Sequence, residues 1–242
     1  MSNPLVQDAV KHIQEIIDID LSAKDHLIYE SFDEYDSYDL HWLLKQYTII
    51  PFNSIHILLD AYIRAYGWDS LQQELQRNLH EEYGSETHGI PHLYTMRRGY
   101  LEELGIDPDV VQYSPSSIAF ATRLKAAFNT SNKAFIGGAA VALEMTAAPE
   151  FHVLDKITRK FVTESHLDVK EDGHIFTYIH GHKDFEIGHA NGLIEAVDAH
   201  ITAENYTDFL SGALAVVDAL QKWWEDMAWE LRQKKNLANI RG

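Results

Sequence analysis

The chain contains no cysteine. That excludes disulfides, thiolate zinc sites, iron–sulfur clusters and a cysteine nucleophile, and it fits a reducing compartment. Any bound metal must be held by histidine and carboxylate. Proline is scarce, with 6 in 242 residues, which leaves room for long helices. Positive charge is in short supply: 20 Lys and Arg stand against 37 Asp and Glu, for a net charge of −17. Neither nucleic acid nor an anionic membrane surface finds the basic patch it requires. Long apolar runs are missing too. The longest weakly polar stretch, Ala134 to Leu143, is about half the roughly 20 residues of a membrane span and runs straight into Glu144. The N-terminus, MSNPLVQDAVKHIQEI, carries acids and a helical apolar pattern rather than a basic segment followed by an apolar one, so no secretory signal is expected and the expected location is cytoplasmic. Strand signals, repeats and low-complexity tracts are likewise lacking.

What remains is helical periodicity. With 45% hydrophobic and 24% charged residues, the sequence reads as one all-α domain over residues 1–242, of about eight or nine helices around a single core. Asn3 and Pro4 make a cap and first turn for a helix over 4–18. Pro51 marks a kink or a join between two helices. Gly84 is the expected end of a helix that starts near Ser70, and Gly105 of one that starts after Pro91. Further helices are expected over about 116–128, 134–148, 149–164, 174–201 and 204–234. The acidic, Tyr-rich segment 19–38 receives no role.

Three stretches carry candidate chemistry. In FTYIHGHKDFEIGHANGL, His182, Glu186 and His189 fall at roughly 0°, 40° and −20° around a helix, so two imidazoles and a carboxylate share one narrow face. A divalent first-row ion takes such a mixture of nitrogen and oxygen donors. The competing register, His180 with Asp184, has Ile187 where a third ligand belongs. In HEEYGSETH, Glu81 and His88 lie seven residues apart and share a face if the helix continues through Gly84, and if Gly84 ends it His88 can still reach back from the following turn; Glu82 and Glu86 read more naturally as a solvated acidic side. In AFIGGAAVALEMTAA, Glu144 is the single charged residue, and a buried carboxylate must be protonated, paired or metal-bound. An ion pair with a neighbour such as Arg123 is the competing fate. Gly137 and Gly138 either let backbones approach or leave room for a ligand.

Taken in order, Glu81–x6–His88, then Glu144, then His182–x3–Glu186–x2–His189 resembles the ligand pattern of the heme-oxygenase-like diiron oxidases. LEELGI after His88 and Tyr178 one turn before His182 are also similar. Within that family the spacing is most similar to the branch of the chlamydial death-domain-associated protein, although Glu186 stands where many members carry Asp. The resemblance implies a compact heme-oxygenase-like bundle holding two iron ions, with manganese as the alternative metal. Glu81, His88 and Glu144 would hold one ion, His182, Glu186 and His189 the other, with Glu144 bridging and therefore catalytic.

It further implies a cytoplasmic O2-dependent oxidoreductase acting on a small organic substrate, with an external electron donor and a homodimer both compatible. A fatty-acyl or other long apolar chain with an acidic head is favoured, the head held by Arg97, Arg98 or Arg123 unless these are simply solvated. Two relatives' activities do not carry over. The p-aminobenzoate branch has Tyr and Lys where this chain has Leu143 and Leu154, and the thiaminase-type relatives use a cysteine. The alternative is a non-catalytic metal-binding or protein-interaction module on the same fold. Heme degradation would need His12 or His26 as an early axial ligand.

Overall fold

The computed structural model describes residues 3–22, 24 and 26–241, except for the side chains of 184–187 and 236–241. Among the described residues the chain is all-α, without a strand. α1 (Pro4–Asp20) begins where the cap pair requires: the Asn3 side chain accepts from the Leu5 N–H at 3.0 Å, and Pro4 occupies the first turn. Val6, Ala9, Ile13 and Ile17 form its buried stripe. Asn3 also ties this end to the far side of the chain, donating to the carbonyls of Asp198 and Ile201 at 3.0 and 2.7 Å.

The acidic Tyr-rich segment forms 3-10 turns over Leu27–Glu34. An Asp36–Asp39 capping box then starts α2 (Ser37–Tyr47). α3 (Ile49–Arg64) follows through Thr48, with Pro51 in its first turn, so the proline marks a join between helices. α4 (Asp69–Glu82) and α5 (His92–Arg98) are short, and α5 runs into a π turn over Gly99–Glu103. α6 (Pro115–Phe128), α7 (Lys133–Glu164), α8 (His174–Asp198) and α9 (Tyr206–Arg241) complete the bundle.

α7 is the axis, packed along α9 and α8 and against α2. It corrects one expectation, because it passes through Pro149 as one helix where the sequence suggested a new start. An interior proline removes one backbone hydrogen bond and costs about 3 kcal/mol, but Phe151, Val153, Leu154 and Ile157 beyond it are buried like the residues before it. Burial of roughly 1.5–3 kcal/mol per large side chain outweighs the lost bond. Gly138 serves close approach: a Cβ there would sit 1.8 Å from the Phe209 carbonyl oxygen of α9, and one at Gly212 would sit 1.9 Å from that of Phe135. The two backbones touch at these glycines.

The start of α8 is fixed from outside. Glu103, at the end of the π turn, accepts from the N–H groups of His174 and Ile175 at 2.7 and 2.9 Å, satisfying two donors that a helix N-terminus leaves open. α5 and α8 are thereby locked together close to the side chains described next.

Candidate metal centre

The end of α4 determines which residues meet. Gly84 takes φ +93°, its N–H donates to the Glu81 carbonyl, and the Ser85 N–H reaches back to His80 at 3.1 Å, which is the Schellman stop that a glycine permits. The helix does not continue, so the face arithmetic linking Glu81 to His88 fails. His88 is exposed in the turn with φ +55°. It is not brought to the site. The chain returns instead through Pro91, and the buried histidine is His92, in the first turn of α5. Glu82, expected on a solvated side, also points inward. The signal for both was present in Gly84 as a terminator and Pro91 as a helix starter, with Glu82 and His92 on either side of the turn.

Two clusters result. In the first, Glu82, His92 and His182 each offer a ligand atom within 4.8 Å of the others. Glu82 Oε1 lies 3.6 Å from His92 Nδ1 and 3.8 Å from His182 Nε2. These gaps are long for direct hydrogen bonds, and a single ion with bonds of about 2.1 Å can span them. His182 Nδ1 lies 2.8 Å from the Tyr178 carbonyl; donation there leaves Nε2 as the free lone pair on the Glu82 side. Phe151 stacks on the His182 ring at 4.7 Å, and His92 meets it edge-on at 4.6 Å. Burial pushes the Glu82 carboxyl up, but with protons on His182 and His92 in place of an ion, their charge more than reverses this and holds it well below the usual carboxylate range.

In the second cluster His189, buried, contacts Glu81 through Nε2 and faces Glu144 Oε2 through Nδ1 at 3.4 Å. Glu81 and Glu144 are 4% and 7% exposed, so these carboxylates need positive charge nearby. Arg77 supplies part of it, donating to Glu81 at 2.5 Å from the partly exposed side. Arg123, the suggested partner of Glu144, is exposed beside Lys222 in a groove between α6 and α9. Of the six expected ligands, the structure thus places Glu81, Glu144, His182 and His189 in the two clusters, but it divides His182 and His189, expected on one ion, between them, because two turns of α8 separate the two rings. The side chain of Glu186 lies outside the described residues.

Both clusters adjoin a small cavity of about 80 Å3, room for a short, slender group rather than a drug-sized ligand. Glu82, Glu144 and His182 reach its wall, which is otherwise mostly apolar, with Leu93, Phe120, Leu143 and Phe151 among its side chains. The arginines do not reach it. Arg97 pairs with Asp109 and Arg98 with Glu102 at the surface, so solvation rather than head-group binding is their fate. His12 is exposed and His26 is buried edge-on to Trp224, which leaves neither at an open heme face.

A family model described as a domain of unknown function with a solved structure, DUF3865, matches residues 10–230, a span that includes both clusters. The chain belongs to this family. Two crystal structures of a CADD-like protein of unknown function from Nostoc punctiforme PCC 73102 are similar to this DUF3865 chain, with TM-scores of 0.84 and 0.82 at 25% and 24% identity. They cover 93% of it, and it covers 97% and 95% of them. A TenA homolog from Pseudomonas syringae pv. tomato str. DC3000 shares the fold, with a TM-score of 0.68 at 11% identity and 93% of each chain covered. The DUF3865 chain is therefore CADD-like and heme-oxygenase-like in fold. No curated protein matches it in sequence. Among the described residues, no helix is long and apolar enough to cross a membrane.

Proposed function

We propose that the protein is a non-heme diiron oxidase that oxidises a small, largely apolar organic substrate. The observation that carries this reading is the pair of carboxylate–histidine clusters beside a mostly apolar cavity. The donor set fits iron or manganese: buried imidazole nitrogen and carboxylate oxygen, no sulfur, and more ligands than a closed four-coordinate zinc site uses. Glu82, His92 and His182 would hold one ion, and Glu81, Glu144 and His189 the other. Iron bound there supplies activation of O2 for oxidation of the substrate.

The chain's own residues have separable tasks. Glu82 stays ionised and ready to bind a cation because of the two imidazoles beside it. The Tyr178 carbonyl and the Phe151 ring fix the orientation of His182. Arg77 balances the charge of Glu81 from the outer side. Leu93, Leu143 and Phe151 keep the space before Glu144 apolar and hold a hydrocarbon portion against it. The acidic head group suggested by sequence has no support in this wall, where no Lys or Arg appears among the described lining residues.

A second reading, a non-catalytic module, is favoured by the fact that Glu81 already has Arg77 and His189 as partners without an ion. Anaerobic Fe(II) titration followed by exposure to O2 separates the two. The oxidase reading expects about two irons per chain and O2 consumption with a transient visible absorption. Full iron loading with no O2 consumed overturns it.

A further inference from the structure

One buried acid in the cavity has no part in either cluster. Glu150 lies six residues beyond Glu144 on α7, about 9 Å along the helix, and lines the same cavity at 3% exposure. Its hydrogen bonds among the described residues come from one donor, the indole N–H of Trp224, shared between the two carboxyl oxygens at 3.0 and 2.9 Å. A carboxylate has about four acceptor positions, so one N–H leaves most of them open in a region from which water is largely excluded. Among the described residues no Lys or Arg lines this cavity, so no described basic side chain on the wall neutralises Glu150.

The sign of the cavity follows. Among the described residues, Glu82, Glu144 and Glu150 line it with no Lys or Arg, and the one imidazole on the wall, His182, is turned to Glu82. A substrate carboxylate would face three acids and no guanidinium or ammonium, which is unfavourable in an apolar space. A cationic head reverses the balance, because an ammonium brings three donors and a positive charge to acceptors that lack both. Glu150 lies about 9 Å along α7 from Glu144 in the same cavity, so a short chain anchored there by its head shares the space with Glu82, Glu144 and His182.

We infer that Glu150 is the head-group anchor of this cavity and that the substrate is an apolar molecule bearing a primary amine, paired with Glu150 as its ammonium. This deepens the oxidase reading and rests on it for calling the ligand a substrate. Burial pushes the Glu150 carboxyl up to about 8, with the Trp224 N–H acting against that rise, and this agrees with a site that lacks a built-in cation.

The test uses the full chain without metal and three probes of similar length, n-butylamine, 1-butanol and butyrate, followed by calorimetry with wild type and Glu150→Gln. Wild type should bind butylamine at least about tenfold more tightly than butanol or butyrate, and Glu150→Gln should lose about tenfold or more of the amine affinity while keeping that for butanol. Butyrate binding as tightly as the amine, butylamine no tighter than butanol, or an amine affinity unchanged in Glu150→Gln overturns the proposal. If the variant does not fold, the three wild-type affinities decide alone. Because the readout is binding without metal, amine binding by a protein that later takes up iron but no O2 strikes the oxidase reading and leaves the anchor standing.

Discussion

Glu81 and Glu82 are consecutive residues that serve different clusters: Glu81 contacts His189, while Glu82 faces His92 and His182. Adjacent helix positions point about 100° apart, and the two histidines of α8 are separated by about two turns. The last turn of α4 therefore spans the space between them, and the Gly84 stop releases the chain to bring His92 back to the Glu82 side.

That arrangement makes His88 and His92 a decisive pair. His88→Ala should leave iron content unchanged, because the side chain is exposed and in neither cluster. His92→Ala should lose the ion held with Glu82 and His182, roughly halving the iron bound per chain as read by elemental analysis. Loss of metal in His88→Ala with retention in His92→Ala would restore the spacing-based assignment.

Glu144 tests whether the buried acid is there for a cation. Glu144→Ala removes a costly buried carboxylate, so the protein should fold with an unchanged or raised melting temperature, while iron content and O2 uptake fall. Wild-type iron content in this variant would count against metal binding by the second cluster, whatever became of the first.

These assignments also mark how far the sequence could be read. Asn3–Pro4, the buried helix around Glu144 and the inward placement of His182 and His189 were legible because each depends on local periodicity or capping, whereas the division of the two imidazoles between clusters depends on the partners that α4 and α7 bring to them. His92 was not, because its place depends on how a non-helical turn redirects the chain, and helical angles cannot be carried across a glycine in the left-handed region. Pro149 misled for a related reason: local propensity favoured a break, and packing against α8 and α9 overrode it. The two uses of Gly138 were indistinguishable until the Phe209 carbonyl appeared against it. Glu150 drew no attention because a lone acid after a proline resembles an ordinary helix start, and only the fold shows it inside a cavity.

Glu103 offers a test of how α8 is held. Glu103→Ala leaves the His174 and Ile175 N–H groups without their carboxylate and should destabilise the protein by about 1–2 kcal/mol in urea denaturation. Since α5 and α8 carry His92 and His182, iron affinity should fall as well, with Glu103→Gln recovering part of both losses. Unchanged stability would mean that packing alone fixes the start of α8.

The final prediction concerns pH and again turns on Glu150. Its carboxyl is raised from 4.5 to about 8, chiefly by burial, so between these values the folded chain keeps a proton that the unfolded chain has lost. Stability contributed by the neutral acid is therefore complete below about pH 4.5 and is lost as pH rises towards 8, at up to roughly 1.4 kcal/mol per pH unit. His26, close by on Trp224, acts in the opposite sense. Burial lowers it from 6.5 to about 4, so it stays neutral in the fold and withdraws stability as pH falls through that range. Tyr29 feels the charge of Glu150, but its own titration is pushed above this window, mainly by burial. The wild-type profile mixes the Glu150 and His26 slopes, and the difference between Glu150→Gln and wild type isolates the first. Glutamine can still accept from the Trp224 N–H and has no proton to lose. In urea denaturation at about pH 5, 6.5 and 8, the variant should gain on wild type at each step upward. Parallel profiles would show that Glu150 is ionised in the fold throughout, with a cation beside it that the cavity wall does not provide.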